Sequence, residues 1–530
     1  MPLAKIFVIV LGFFVAWSVA KPPMQAADEF SHTARVESIP DNLWFSSGET
    51  LTAPSDRVNP YINSSRLREL PFHPERHLSN LEINALKGYE WGNSAAPVTI
   101  ISQSHSYATA YFAPEYFLGR LLTTTFKLAP FESNWAYRFV SCLFCSALFT
   151  LFIVLLKSTF PKYWAPMAVL SMVNPQIGFT LSAIHPDAVF TPASLITGLL
   201  AYRACIGIGS IVQLPILALS ALLAVFSKPL GIPMILALIS AALLFAILFK
   251  EHRKNSLLAA ASLIIALVIA QLAFFLWVKL EIYGVPLHLD IWGYLAALPE
   301  KPRLWFRQFF GSVGWLDTNL GTTWHLAMLC CLGINLLLGA LHSLRAKDST
   351  AWLYFGVFAT TFIAGLLVGE FKYLDRAGYS IQGRYLFPVL PLLALAMVHN
   401  FNLVKRLSVA FILIYTAAYY NLSVHRYFAS GWHGWLHNLP FWRSNNISVT
   451  LPVQTSTELN GTTPPGVLTE GPMLTYNITS STTPAIKLKS EPAPYLTEML
   501  ELPQQNTWRI SLLYRSAEEA NNAAKSIITE

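Results

Sequence analysis

Stretches of about 20 residues that are almost free of charge recur along this chain between residues 133 and 421. A helix needs roughly 20 mostly apolar residues to cross the ~30 Å hydrocarbon core of a bilayer. Of the 530 residues, 54% are hydrophobic and only 12% are charged, a balance that does not suit a soluble globular protein of this length. We therefore predict an all-α polytopic membrane protein.

Hydropathy windows of about 19 residues predict eleven transmembrane helices. They cover roughly residues 4–20, 133–156, 163–183, 188–203, 210–227, 229–249, 256–278, 324–343, 351–369, 385–400 and 407–421. If the N-terminus lies in the cytoplasm, every short cytoplasmic connection carries lysine or arginine, as the positive-inside rule requires. The long connections and the C-terminal segment then lie on the extracytoplasmic side.

Composition divides the chain into four segments. They are the first transmembrane helix (1–20), a large extracytoplasmic loop (21–132), a multi-pass helical core with an outer loop at 279–323 (133–421), and an extracytoplasmic tail (422–530). In the first loop, YFAPEYFLGRLL predicts a helix at the membrane interface. In the tail, the alternating runs ISVTLPV, AIKLK and WRISLLY predict strands of a small β-rich domain. The small-x-small sequence SVA at residues 18–20 would also fit a signal-peptide cleavage site, so removal of the first helix stays open.

Charge and cysteine usage exclude several classes of function. The formal net charge is only +7 and no long basic run is present, which argues against nucleic acid as a partner. All five cysteines fall in apolar segments without zinc-ligand spacing, so we expect neither disulfides nor a sulfur-bound metal. The chain has no G-x-x-x-x-G-K phosphate loop, and ATP hydrolysis therefore has no support.

Polar and ionisable residues gather at the predicted outer ends of the helices. Such residues at membrane depth are costly and are functional candidates by default. The candidates are Asp28, Glu29 and His32 after the first helix, His185 and Asp187 in SAIHPDAVF, Lys228 in VFSKPLG, Asp317 in GWLDTNLG, Arg376, and Gln382, Arg384 and Tyr385 in IQGRYLFPVLP. Their convergence on one side of the membrane is stronger evidence than any single residue.

Each charged candidate also has a purely structural interpretation. Asp187 could cap a helix and Asp317 could close a turn. Arg384 and Lys228 could extend to lipid headgroups. The Asp28-Glu29 pair could consist of ordinary solvated loop charges.

Several strings in the chain resemble a known family. They are DEFSH, YFAPEYFLG, NPQIGFTLSAIHPDAVF, SKP, GSVGWLDTNLG and IQGRYLFPVLPLL, and together they resemble the polytopic membrane family called domain of unknown function 2142 over about residues 5–400. That family is similar to the GT-C superfamily of membrane glycosyltransferases, which take sugars from polyprenyl-phosphate donors on the outer face of the membrane. The resemblance implies a GT-C-like helical core and favours the bacterial inner (cytoplasmic) membrane.

The resemblance also implies a catalytic position, because an acidic pair in the first outer loop of GT-C enzymes supplies the carboxylate. Asp28 and Glu29 match this position, although the prolines that commonly flank the pair are absent. A carboxylate can take the proton of an attacking hydroxyl. Arginine fits the phosphate leaving group, so Arg384 is the first choice for that role, followed by Lys228 and Arg376.

We therefore expect a transferase that moves a sugar from a polyprenyl-phosphate donor to a polysaccharide or lipid acceptor of the cell envelope. The remaining candidates would contact the substrate: His32, His185, Asp187, Asp317, Gln382 and Tyr385. No cofactor is predicted: some related enzymes hold a divalent cation with carboxylates, so one is possible here, but no tight carboxylate spacing in this chain requires it. A flippase for lipid-linked sugars and a non-catalytic envelope-assembly protein are the alternatives, although charges at mid-helix and matched broken helices, which a transporter would favour, are scarce.

Overall fold

The computed structural model describes most of the helical part of the chain. It covers residues 2–26, 28–39, 50–54, 70–71, 73–78, 97–101, 109–208, 212–278, 301–314, 316–346, 349–373, 382–398 and 402–429, the strands at 473–479, 495–502 and 507–513, and positions 83, 87, 431, 432, 435 and 439. The chain divides into two compact units. One contains Met1–His77 and Glu90–Tyr427, and the other contains Leu78–Tyr89 and Phe428–Glu530.

Helices dominate the larger unit. In chain order they are α1 (Leu3–Val19), α2 (Glu29–Glu37), α3 (Thr109–Phe126), α4 (Pro130–Thr159), α5 (Trp164–Met172), α6 (Pro175–Leu181), α7 (Asp187–Cys205), α8 (Gln213–Ser227), α9 (Gly231–Leu248), α10 (Arg253–Val278), α11 (Lys301–Phe310), α12 (Thr322–Ala346), α13 (Ser349–Tyr373), α14 (Leu390–Val398) and α15 (Asn402–Tyr427). Short 3₁₀ segments, Lys250–His252 and Gly383–Val389, precede α10 and α14. Strands β1 (Thr50–Pro54) and β2 (Pro97–Ile101) pair antiparallel between α2 and α3.

Seven helices of the described part are long and apolar enough to cross a membrane, as judged by length and composition. They correspond to α4, α7, α9, α10, α12, α13 and α15. Three further predicted spans are shorter apolar helices, namely α1, α8 and the segment Gly383–Ala396. Multi-pass helical architecture is thus confirmed, whereas eleven spans and their sidedness stay predictions.

The predicted helix at 163–183 is wrong as a single element, because it divides into α5 and α6. Pro175 has no amide hydrogen and cannot continue the hydrogen-bond ladder of α5. Asn174 instead caps α6, and its Oδ1 accepts from the backbone N–H groups of Gln176 at 2.8 Å and Ile177 at 3.3 Å. Two polar helices, α2 and α11, also lie in segments that we expected to be loop. Helix α3 contains the predicted helical string YFAPEYFLGRLL, while its position at the membrane interface stays a prediction.

The smaller unit contains a three-stranded antiparallel sheet in the order β3-β5-β4. Its strands are β3 (Met473–Thr479), β4 (Tyr495–Leu502) and β5 (Thr507–Leu513). Strand β5 coincides with the predicted run WRISLLY, while the runs ISVTLPV and AIKLK lie outside the described residues. That this part of the chain is an extracytoplasmic domain stays a prediction.

Helix α7 lies at the centre of the larger unit. It packs against α4, α8, α9 and α10. Within the most apolar 18-residue stretch of α7, 94% of the residues are buried, whereas the corresponding share is about half or less in the other long helices except α4. The surrounding helices leave large apolar side chains on the surface, among them Leu219 of α8, Ile247 of α9 and Leu337 of α12, as a protein solvated by lipid requires. Asp187, the first residue of α7, therefore stands at one end of the central helix.

A buried guanidinium fastens the segment between α1 and α2 to α4. Arg138 of α4 donates from Nε and Nη2 to the two carboxylate oxygens of Glu29, both at 2.6 Å. Its remaining donors bind the carbonyl oxygens of Ser18, Lys21 and Pro22 at 2.5–3.0 Å. All five N–H groups of the guanidinium thus have acceptors, and both side chains are 0% exposed.

Removing the guanidinium of Arg138 should destabilise the protein strongly, because it would leave the Glu29 carboxylate buried without its partner. For such pairs the loss is about 3–5 kcal/mol. We expect Arg138→Met to lower the free energy of unfolding by about this amount, measured by thermal or denaturant unfolding in detergent. Arg253→Met, at an exposed arginine, is the matched control and should change stability by less than about 0.5 kcal/mol. Equal stability of the two variants would contradict this role for Arg138.

Candidate functional site

Seven of the residues singled out from the sequence meet in one place, which we call the ionic cluster. It consists of Asp28, His32, His185, Asp187, Lys228, Arg384 and Tyr385. They come from four separate parts of the chain: the start of α2, the α6–α7 connection, the α8–α9 connection and the 3₁₀ segment before α14. The structure thus brings together side chains up to 356 positions apart.

The start of α2 supplies a carboxylate and an imidazole. Asp28 immediately precedes α2 with φ 64°, in the left-handed region, which aspartate tolerates better than most residues. His32 lies four residues further on and therefore shares a helix face with Asp28. Glu29, between them, is bound to Arg138 as described above. The buried Glu29–Arg138 pair thus fixes the position of the two cluster residues of α2.

The α6–α7 connection supplies a second imidazole and a second carboxylate. The backbone N–H of Asp187 donates to His185 Nδ1 at 3.0 Å, and Asp187 Oδ2 lies 3.4 Å from the same nitrogen. Asp187 Oδ1 accepts from Lys228 Nζ at 2.6 Å. Asp187 Oδ2 has no hydrogen bond to a described residue, so the Asp187 side chain binds a cation and does not act as a helix cap.

Lys228 lies between two apolar helices and is nevertheless buried. The residue before a proline is driven to extended backbone, and Lys228 precedes Pro229 with φ −154° and ψ 134°. Its Nζ reaches Asp187 and lies 4.3 Å from the ring centroid of Tyr385. Burial is the main cause that lowers the pKa of Lys228 to about 8, while Asp187 opposes the shift. The amine is therefore still mostly cationic at pH 7.

Arg384 is positioned by a close approach of its backbone to α11. The N–H of Gly383 donates to Gln308 Oε1 at 2.8 Å. A Cβ at Gly383 would overlap the carbonyl oxygen of Trp305 and lie 2.6 Å from the backbone nitrogen of Phe309. Only glycine fits here, so the glycine of the QGRY string has a steric reason.

The Arg384 guanidinium links the two carboxylates of the cluster. Its Nη2 donates to Asp28 Oδ2 at 2.7 Å, and its Nε lies 3.8 Å from Asp187 Oδ2. Four charges therefore alternate in sign along the series Asp28, Arg384, Asp187, Lys228. Arg384 is 2% exposed, which excludes the interpretation that it extends to lipid headgroups.

The ionic cluster is open to its surroundings at Asp28. The side chain of Asp28 is 40% exposed, whereas those of Arg384, Asp187 and Lys228 are 2–4% exposed. Behind Asp28, Nε and Nη1 of Arg384, Oδ2 of Asp187 and Nε2 of His185 are buried without a hydrogen bond to any described residue. An accessible carboxylate thus lies beside buried polar atoms that could still donate or accept hydrogen bonds.

Burial controls the protonation of the two imidazoles. It lowers the pKa of His32 to about 4, with opposition from the Asp28 charge and further lowering by Arg384. It also lowers the pKa of His185 well below its usual value, and Arg384 adds to this effect. For Asp28, burial raises the pKa, but the charge and hydrogen bond of Arg384 together with the further positive charges nearby outweigh it, and the net direction is downward. At pH 7 both imidazoles are neutral and Asp28 is ionised.

Three side chains of the cluster could hold a metal ion. One ligand atom from each of Asp28, His32 and His185 lies within 4.8 Å of the other two. The rings of His32 and His185 meet edge to face with centroids 4.6 Å apart. No metal site was predicted from the sequence, because the spacing of cysteines and of carboxylates along the chain does not show that His185 lies beside Asp28 and His32.

Three sequence candidates stand apart from the cluster, and a fourth is not among the described residues. Glu29 is enclosed by Arg138, and Asp317 accepts from Arg426 at 2.8 and 3.2 Å. Gln382 precedes the 3₁₀ segment, and its Oε1 is buried without a hydrogen bond to a described residue. Arg376 lies outside the described residues. The carboxylates of Glu29 and Asp317 thus bind arginines of the protein.

The residues that hold the cluster in position were not predicted from the sequence. Arg138 is an arginine inside a long apolar helix, a costly position that could have marked it. On α3, the Glu115 carboxylate accepts from Tyr111 Oη at 2.5 Å and also from Ser141. The same Tyr111 hydroxyl accepts from the backbone N–H of His185 at 2.8 Å. Helix α3 thus helps to place His185.

Comparison with known proteins relates most of the chain to one family. Residues 11–393 match the model of the family described as "Predicted membrane protein (DUF2142)". Comparison with curated proteins gives no match. Among solved structures, the arabinosyltransferase EmbB of Mycobacterium smegmatis aligns with a TM-score of 0.34 and 12% identity, over 75% of this chain and 30% of that chain. This chain thus spans less than a third of that enzyme.

The buried Glu115 gives the protein a specific pH dependence. Burial raises the pKa of Glu115 to about 8, whereas in an unfolded chain it is about 4.3. Between these values the folded protein holds a proton that the unfolded chain has released, so this group lowers the free energy of unfolding as pH rises from about 5 to about 8. Glu115→Gln stays neutral and should remove this decrease.

Unfolding temperatures of the parent and Glu115→Gln proteins in detergent, compared between pH 5 and pH 8, measure this effect. The difference between the two isolates Glu115 from the buried histidines, which act in the opposite direction. Glu75→Gln, at an exposed carboxylate, should follow the parent curve. A constant difference between parent and Glu115→Gln across this range would show that Glu115 is ionised in the folded protein.

Proposed function

The chain belongs to the DUF2142 family of predicted membrane proteins, and we propose that it is a membrane glycosyltransferase with a GT-C-like helical core. It moves a sugar from a polyprenyl-phosphate donor to a polysaccharide or lipid of the cell envelope on the extracytoplasmic face. The observation that carries this proposal is the direct contact of an accessible carboxylate, Asp28, with a buried arginine, Arg384, beside Lys228. A base and cations for a phosphate thus occupy one cluster.

In the proposed reaction one bond forms and one breaks at the anomeric carbon of the donor sugar. The hydroxyl oxygen of the acceptor attacks this carbon, and its proton passes to the Asp28 carboxylate. The bond from the anomeric carbon to the phosphate oxygen breaks, and polyprenyl phosphate leaves with that electron pair. Charge therefore develops on the phosphate oxygen in the transition state, where fixed cations lower the barrier most.

Arg384 is the main phosphate ligand in this proposal. Its Nε and Nη1 make no hydrogen bond to described residues. Each two-pronged edge of a guanidinium includes Nη2, so a two-pronged contact with phosphate oxygens pairs Nη2, released by Asp28, with Nε or Nη1. Lys228 supplies a second positive charge to the cluster, and its Nζ donates to Asp187 Oδ1 at 2.6 Å. Tyr385, whose ring lies 4.3 Å from the Lys228 amine, keeps that amine in place.

Binding of the donor would also activate the base. In the resting protein the Arg384 charge keeps the pKa of Asp28 below its usual value, which makes Asp28 a weak base. A phosphate that takes over the guanidinium weakens the pairing of Arg384 with Asp28. The carboxylate then becomes more basic at the moment when the donor is in place.

Glu29 has a positioning role in this proposal, although the sequence analysis placed it with Asp28 as a catalytic residue. Both of its oxygens accept from Arg138, and its side chain is 0% exposed. An acceptor hydroxyl has no access to such a carboxylate. The Asp317 carboxylate binds Arg426 in a similar way, so we assign Asp317 to stabilising the fold and not to binding the substrate.

The remaining parts of the proposal concern placement in the cell. We place the protein in the bacterial cytoplasmic membrane, with its N-terminus in the cytoplasm and residues 422–530 outside. In this arrangement α1 stays attached and keeps Asp28 close to the membrane surface, where the phosphate of a membrane-bound donor must lie.

Replacing Asp28 tests the base. Asn can adopt the left-handed backbone of residue 28, so Asp28→Asn keeps shape while removing the proton acceptor. We expect sugar transfer from a polyprenyl-phosphate donor, measured with purified protein in detergent, to fall by on the order of 10²–10⁴. Glu75→Gln, at an exposed carboxylate, should keep parental activity. Parental activity in Asp28→Asn would refute Asp28 as the base.

Replacing Arg384 by lysine separates charge from geometry. Arg384→Lys keeps the positive charge but loses the planar pair of donors, so turnover should fall even though the protein accumulates normally. The same sugar-transfer assay measures this effect, with Arg253→Lys at an exposed position as the control. If Arg384→Lys matches the parent protein in turnover, a two-pronged phosphate contact is not part of the reaction.

A further inference from the structure

Two histidines and one aspartate of the ionic cluster lie close together. The proposed transfer reaction uses the aspartate, Asp28, as its base but assigns no role to His32 or His185. One ligand atom each from Asp28, His32 and His185 lies within 4.8 Å of the others. Asp28 Oδ2 accepts from Arg384, which leaves the other carboxylate oxygen for an additional contact. His185 Nε2 is buried without a hydrogen bond to a described residue. We propose that these three side chains bind one divalent transition-metal ion of the Zn²⁺ type.

The chemistry of the three side chains selects this class of ion. Imidazole nitrogen suits Zn²⁺, Co²⁺ and related ions, whereas Ca²⁺ and Mg²⁺ prefer oxygen ligands. Two histidines and one carboxylate provide three ligands, which for Zn²⁺ leaves one coordination position open. The site therefore has the ligand number of a site that binds a further molecule, not that of a closed structural site.

The distances require a small closure of the three side chains. Zn²⁺ lies about 2.0–2.2 Å from nitrogen and oxygen ligands, so ligand atoms of one tetrahedral site are roughly 3.4 Å apart. From separations of up to 4.8 Å, the ligand atoms must approach by up to about 1.4 Å. The carboxylate of Asp28, at the open end of the cluster, can move toward the imidazoles by side-chain rotation.

Asp187 lies where the supporting residue of a metal-bound histidine is expected. Such a histidine usually donates its second ring N–H to a carboxylate or carbonyl, which orients the ring. Asp187 Oδ2 lies 3.4 Å from His185 Nδ1 and has no hydrogen bond to a described residue. In the structure Nδ1 accepts from the backbone N–H of Asp187 at 3.0 Å, so binding of the ion at Nε2 requires the imidazole proton to move to Nδ1, where Asp187 Oδ2 can accept it. Asp187 is thus a positioning residue for the site.

The neighbouring cations do not oppose the ion as strongly as their number suggests. Arg384 is paired with Asp28, and Lys228 is paired with Asp187. The two carboxylates and the two cations sum to zero formal charge. A divalent ion therefore enters a polar cluster with no net positive charge of its own.

Metal content of the resting protein tests this proposal without any assay of sugar transfer. The full chain in detergent is stripped with a chelator, dialysed against Zn²⁺ and analysed by elemental mass spectrometry. We expect one Zn²⁺ per chain in the parent protein and its loss in His32→Ala and His185→Ala. Asp187→Asn should retain the site but bind Zn²⁺ about 10–100-fold more weakly. His73→Ala, at an exposed histidine, should keep the parental stoichiometry.

Folding of the variants is checked by a second measurement. Zn²⁺ that binds only the folded state raises the unfolding temperature, and this rise should disappear in His32→Gln and His185→Gln while their metal-free unfolding temperatures stay measurable. Co²⁺ in place of Zn²⁺ should give the visible absorption of a nitrogen- and oxygen-bound ion in the parent alone. Parent protein that retains no Zn²⁺, or histidine variants that retain as much as the parent, would overturn the metal site while leaving the proposed transferase intact.

Discussion

The contact of Arg138 with Glu29 is the interaction on which the candidate site depends. Arg138 comes from a long apolar helix, where an unpaired guanidinium would be very costly, and all five of its donors are used by the end of α1 and the start of α2. This arrangement holds a nine-residue helix in place. It presents the residue before Glu29 to Arg384 and the residue three positions after it to His185.

The ionic cluster combines burial with accessibility at one end. Its alternating charges satisfy each other in a region where isolated charges would be excluded, yet several polar atoms keep hydrogen-bonding capacity. A phosphate would compete with Asp28 for Arg384, and an ion would use the carboxylate oxygen that Arg384 does not. Both proposals use the Asp28 carboxylate, as a proton acceptor in one and as an ion ligand in the other, whereas only the metal site needs the imidazoles of His32 and His185.

The long helices were predictable from the sequence, because an uncharged stretch of about 20 residues is unstable in water and has the length of a membrane-spanning helix. The sequence also predicted that Asp187, Lys228 and Arg384 lie on one side, but not that they form ion pairs, since pairing depends on how separate helices pack. The helix break at Asn174 follows from cap and proline chemistry that a hydropathy window averages away. Helix α2 was missed because it is short and polar, and its stability comes from tertiary contacts such as the one made by Arg138.

The most direct test of this account is a cryo-EM structure of the full chain in lipid with a polyprenyl-phosphate-linked sugar bound. We expect the phosphate to lie within hydrogen-bonding distance of Arg384, with the anomeric carbon of the sugar on the side of Asp28. A donor whose phosphate lies elsewhere, with the contact of Asp28 with Arg384 unchanged, would contradict the assignment of the ionic cluster as the catalytic site.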